Sequence, residues 1–131
     1  MEIRSTFHKE LREIQDDVLG MGSMVGKAIL RSIEALKNRD LDMAREIITD
    51  DQKINQKRFE IEEKCIQLIA TQQPMASDLR IIVAVLNIIS ETERIGDYAE
   101  GIAKIISSTP YLSVILGISF LSPSTFTPCI F

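Results

Sequence analysis

The chain has 131 residues, 45% of them hydrophobic and 26% charged, with a net charge of -4. That size and balance fit one globular domain and exclude an intrinsically disordered chain. The acidic sign excludes a nucleic-acid binder, which needs a basic stripe to neutralise phosphates, and the 5% aromatic content with no Trp favours helix-on-helix layers over a β-sandwich.

The first element in the chain is an amphipathic helix. Ile3, Phe7, Leu11, Ile14, Val18, Met21, Val25 and Ala28 recur at steps of three and four, extended by Ser32, Ile33 and Leu36. Gly20, Gly22 and Gly26 interrupt this stripe and leave two options open, a close approach by another helix or a bend. The N-terminal residues Met1 to Thr6 carry charges and no apolar run, so no signal peptide is expected.

Asn38-Arg39-Asp40 breaks the pattern, and Asp40 is the predicted N-cap of a second helix with Asp42 in its first turn. Ile47, Ile54, Ile61 and Leu68 form a strict seven-residue repeat down that helix, which Gln73-Pro74 ends. Cys65 falls on an apolar position of it and reads as a buried free thiol. Cys65 and Cys129 share neither metal-like spacing nor a disulfide framework, which fits a reducing compartment.

A third helix is expected from Ser77 or Asp78, its apolar stripe being Ile81, Val85, Ile88, Ile95, Ala99, Ile102 and Ile106. Two short connections make an antiparallel up-down-up bundle the economical topology. The expected fold is all-α, a three-helix bundle of long helices over residues 3–106.

Composition changes abruptly after that. All 15 basic and 19 acidic side chains lie at or before Lys104, whereas Pro110, Pro123 and Pro128 and four of the seven aromatics lie beyond Ser107. The run between Pro110 and Pro123 is too short for a membrane span, which takes roughly 18–20 residues. Residues 107–131 therefore read as a loosely ordered, uncharged tail of different origin from the bundle.

Chemistry concentrates in Ser90 to Glu100. Glu93 and Asp97 stand at i,i+4, with Glu100 one turn further, bordering the line Leu79, Ile82, Leu86, Ile89. Carboxylates sharing a helix side repel one another. Beside an apolar seam they invite a hard cation such as Mg, Ca, Mn or iron. On spacing alone a solvated acidic side is the simpler reading. Asp51, Asn55, Arg58 and Glu62 make a second polar stripe, for which a surface ion-pair line is again simpler. His8, the one histidine, loosely resembles a phospho-accepting histidine of a helical bundle, and a solvated role is simpler for it too. The sequence holds no nucleophile–base pair, no Gly-rich phosphate loop and no zinc spacing, so no enzyme is expected.

Gln72-Gln73-Pro74-Met75-Ala76-Ser77-Asp78-Leu79-Arg80, then Glu93-Arg94-Ile95-Gly96-Asp97-Tyr98-Ala99, resembles the PhoU family of phosphate-signalling proteins. Phe7-x-x-Glu10-Leu11 and Asp50-Asp51-x-x-Ile54-Asn55 resemble it as well. The resemblance covers about residues 3–106 and implies one of the family's two three-helix repeats. It implies a cytoplasmic negative regulator of phosphate uptake that contacts the phosphate ABC transporter and a sensor histidine kinase and forms a homo-oligomer, with no membrane span. It also implies a divalent metal or iron on an E/D-x-x-x-D motif. The motif's acids fall on Glu93 and Asp97, with Asp51, Asn55 and Glu100 as secondary candidates. The readings weighed against it are a metal-free helical oligomerisation module and a phosphotransfer domain using His8.

Overall fold

A computed structural model describes residues 2–109, and their side chains from Arg4 onward. The chain runs through α1 (Glu2–Asn38), α2 (Leu41–Gln72) and α3 (Ala76–Ser108). At 1.5 Å rise per residue these helices are about 48–56 Å long, so the bundle is a rod. The expectation of a loosely ordered 107–131 tail lies outside the described residues from Pro110 on, while Ser107 and Ser108 continue α3.

The two turns are built from capping chemistry. Arg39 adopts φ 52°, and the Asp40 N–H reaches back to the Ala35 carbonyl at 3.0 Å, closing α1. The Asp40 side chain then accepts from the Met43 N–H at 3.0 Å, which is the N-cap predicted from sequence. Gln73 ends α2 in the left-handed region at φ 45°, donating its N–H to the Ile69 carbonyl. The third helix begins slightly before the predicted Ser77 or Asp78. Met75 is its cap residue and makes no side-chain cap bond, while the backbone N–H of Asp78 donates to the Met75 carbonyl. The chain leaves the turn through a second left-handed residue, Ala76 at φ 40°.

The helices run antiparallel in a register fixed by ion pairs as well as by apolar contact. Asp17 on α1 meets Lys57 and Lys64 on α2 at 2.7 and 2.5 Å, while Arg31 meets Asp50 and Glu46 at 3.0 and 2.6 Å. On the other side of α2, Arg58 Nε lies 2.9 Å from Glu93 Oε2 of α3.

Packing agrees with the predicted stripe of α2, where Ile47, Ile54, Ile61 and Leu68 are all buried. On α1 the stripe holds from Phe7 to Ala28 and through Ser32, but Ile33 is exposed and Ala35 takes the core position. α3 requires the larger correction. Ile81, Ile88 and Ile95 are 38%, 49% and 44% exposed, and the bundle-facing row is Ile82, Val85, Ile89, Gly96, Ala99, Ala103 and Ile106. The reason is steric. Small residues at 96, 99 and 103 let α3 lie close to α1 and α2, which bulky isoleucines one residue earlier could not do. Gly96 shows this closeness, because a Cβ there would touch Ile54 Cγ2 and Val25 Cγ2, both at 3.5 Å. Gly20, Gly22 and Gly26 have nothing within 4 Å of an added Cβ, so within this chain they serve no close approach.

The core comes in two parts. The larger joins Phe7 through Ala28 of α1, Ile54 to Leu68 of α2 and Ile82 to Ala99 of α3. The smaller, at the α1–α2 turn, buries Ala35, Ala44, Ile47, Ala103 and Ile106, with Leu36, Met43, Ile48 and Ile102 packed against them. Between them lies a polar level containing buried Ser32, which donates to the Ile29 carbonyl at 2.7 Å, and buried Asp51.

Candidate metal centre

Asp51 is the unusual residue of that level, a carboxylate on the inner side of α2 between Ile47 and Ile54, only 6% exposed. The antiparallel register of α2 and α3 sets it opposite Asp97 and Glu100. One carboxylate oxygen from each of the three lies within 4.8 Å of the other two. Asp97 is at the exposed rim and Glu100 is half-buried, so the cluster opens outward from a buried floor. Burial pushes the Asp51 carboxyl above the ordinary carboxylate range, and the charges of Glu100 and Asp97 push it further. Opposing this, Asn55 Nδ2 donates to Asp51 Oδ2 at 3.2 Å, and Lys104 pairs with Glu100 at 2.8 Å.

Two unsatisfied atoms flank the cluster. Asn55 Oδ1 is buried and accepts no hydrogen bond. The Arg58 Nε–H is buried too and donates none, although the atom stands 2.9 Å from Glu93 Oε2, because its N–H does not point at that oxygen. Oxygen donors of this kind suit a hard cation, and the donor set of Asp51, Asp97 and Glu100, with the bare Asn55 oxygen beside it, fits one.

The sequence-predicted residues thus part company. Asp97, Asp51 and Glu100 converge, and Asn55 sits against Asp51. Glu93, placed with Asp97 by the motif, is one turn away and pairs with Arg58, which also pairs with Glu62 at 3.6 Å. The role of Arg58 as counter-ion across the α2–α3 seam was not read from sequence, since it depends on the register of two helices. His8 lies near the start of α1 with its ring edge-on to Phe7, centroids 5.5 Å apart, far in sequence from every acid of the cluster. Cys65 is fully buried, and desolvation pushes its thiol up to about 11, so it is a core residue rather than a ligand or nucleophile.

Residues 18–106 of the chain match the PhoU domain family model, and the chain belongs to that family. Among its relatives are the phosphate-specific transport system accessory protein PhoU of Edwardsiella tarda, 42% identical over 98 residues, and the PhoU homolog of Clostridium acetobutylicum, 45% identical over 104. These alignments take in 75% and 79% of this chain but only 40% and 48% of those proteins. The solved structure of the phosphate transport system regulatory protein PhoU from Streptococcus pneumoniae superposes with a TM-score of 0.73 at 33% identity, covering 92% of this chain and 52% of that one. The chain therefore spans about half the length of the relatives it matches. No helix among the described residues is long and apolar enough to cross a membrane.

Proposed function

We propose that this chain serves the control of phosphate uptake as a non-enzymatic cytoplasmic adaptor. It would contact the phosphate ABC transporter and its sensor kinase, restraining uptake, and associate with a second copy of itself. Family membership and the relatives' names as accessory proteins of phosphate transport support this reading. The observation that carries its metal component is the three-carboxylate cluster with a buried floor.

On that reading Asp51, Asp97 and Glu100 hold a divalent cation or iron, with Asn55 Oδ1 able to contribute a neutral oxygen. The cation supplies positive charge to a level where buried acids otherwise repel one another. The residues do the rest: Asp51 fixes the inner side from α2, Asp97 and Glu100 close it from α3, and Arg58 keeps Glu93 turned to its own ion pair. Metal analysis of protein purified without chelator tests this, comparing Asp51→Asn, Asp97→Asn and Glu100→Gln with Glu93→Gln. The first three should each lose most of the bound metal while Glu93→Gln retains it. If Glu93→Gln loses as much as Asp97→Asn, the i,i+4 pair is the ligand set instead. If the parent binds no Mg, Ca, Mn or iron, the metal reading falls while the adaptor reading stands. That second part is tested with the purified transporter and kinase, and failure to bind either one overturns it.

The exposed apolar side of α3 favours a second reading, a helical oligomerisation module without metal.

A further inference from the structure

α3 carries two apolar seams, offset by one residue, and only one is buried along its length in the bundle. The buried seam runs Ile82, Val85, Ile89, Gly96, Ala99, Ala103, Ile106. The other runs Ile81, Ala84, Ile88, Glu91, Ile95, Tyr98, Ile102, Ile105, alternating steps of three and four across 25 residues. That is the heptad spacing of a coiled-coil interface, with isoleucine at all four positions of one row. Ile81, Ile88 and Ile95 are solvent-accessible, as are Tyr98 at 66% and Ile105 at 54%, while Ile102 is half-buried and also packs against the smaller core. The acids of the candidate metal centre lie on a different side of the helix and leave this seam clear.

We propose that the outer seam of α3 is the surface through which two copies of this chain associate, α3 against α3 in antiparallel orientation. The proposal rests on the self-association put forward above and assigns it a place. Two observations point to a second copy as the occupant. A regular heptad seam of this length calls for a long straight helix carrying the same repeat, and a second α3 is one. Charge supplies the second. The one polar break in the seam, Glu91, pairs in its own helix with Arg94 at 3.0 Å, both well exposed. These two residues flank the midpoint between Ile81 and Ile105.

A two-fold axis through that midpoint sets Ile81 opposite the partner's Ile105, and Ile88 opposite the partner's Tyr98. It sets Ile95 opposite the partner's Glu91 and brings each Glu91 within reach of the partner's Arg94. The same patch then complements itself, as a two-fold interface requires. A parallel pair would instead face Glu91 with Glu91, a like-charge contact that opposes association.

Sedimentation of the full chain at several concentrations, with circular dichroism to confirm unchanged helicity, tests the proposal. The parent should be a dimer at micromolar concentration, and Ile88→Asp or Ile95→Asp should weaken it at least tenfold. Glu91→Arg and Arg94→Glu should each weaken it by roughly tenfold, and the double swap should restore it, since the reversed pair again meets its opposite across the axis. A parent that stays monomeric overturns both the seam and self-association. A dimer indifferent to these variants overturns the seam alone, leaving self-association through another surface. Single swaps that weaken a dimer which the double swap does not rescue overturn the antiparallel register.

Discussion

Replacing Gly96 by alanine probes how closely α3 lies on its neighbours. Gly96 is buried in the middle of α3, where a glycine costs about 0.8–1 kcal/mol relative to alanine. The new methyl would stand 3.5 Å from Ile54 Cγ2, 3.5 Å from Val25 Cγ2 and 3.6 Å from Ile54 Cδ1, which is ordinary contact with no overlap. Burying one methyl contributes up to about 0.8 kcal/mol more. Gly96→Ala should therefore stabilise the fold by about 1–2 kcal/mol. Gly101→Ala is the control, because nothing lies within 4 Å of its added Cβ and it should gain the helix-propensity part alone, about 1 kcal/mol. Urea unfolding followed by helicity, at one fixed protein concentration, reads both. With a slope of about 1–3 kcal/mol per molar urea, the Gly96→Ala midpoint should rise by roughly 0.3–2 M. A Gly96→Ala protein less stable than the parent, beside a Gly101→Ala protein more stable than it, would refute the geometry on which this rests.

Two further outcomes follow from residues already described. Ile61 is fully buried in the larger core, so Ile61→Ala should cost about 2–5 kcal/mol in the same urea assay, and a loss below about 1 kcal/mol would mean the site collapses around the cavity. Partial burial pushes the Asp17 carboxyl up, but hydrogen bonds from Lys57 and Lys64 outweigh this and hold it below the ordinary carboxylate range. The stabilisation from a depressed carboxylate is complete above its unfolded value of about 3.9 and is lost as pH falls through the folded value. Asp17→Asn should cost about 1 kcal/mol at pH 7, and the gap from the parent should close as the pH is lowered below about 4. A gap unchanged down to pH 3 would show that these lysine contacts are not its source.

Legibility differed from helix to helix for a physical reason. α2 has one apolar row with no competing one, so periodicity identified its inner side, and the Asp40 cap was readable because capping depends only on local chemistry. α3 carries two rows one residue apart. Bulk favours Ile81, Ile88 and Ile95, yet the bundle takes the row with Gly96, Ala99 and Ala103, since closeness of approach, not hydrophobicity, decides which row goes inside. The acids split along similar lines. Glu93 and Asp97 share a motif, but which carboxylates converge depends on how α2 and α3 align, and no spacing within one helix encodes that. One signal was available. Asp51 and Arg58 fall in the row of Ala44 and Cys65, beside the Ile47 repeat, and an acid at such a core position needs a partner from outside its own helix.

The polar level formed by Ser32, Asp51 and Glu100 makes the rod a pair of hydrocarbon blocks in series. Three of the five fully buried residues in the smaller block are alanines, and Leu36, Met43, Ile48 and Ile102 are only partly buried against them, so that end stores less of the free energy that resists opening than the larger block does. It should breathe as a unit of its own, with amide protons near Ala44, Ile47 and Ala103 exchanging well before those near Ile61 and Ile82. A cation across Asp51, Asp97 and Glu100 would act as a clasp at the boundary, slowing exchange in the smaller block while leaving the larger one unchanged. Equal protection at both ends, with or without metal, would mean that the two blocks open as one.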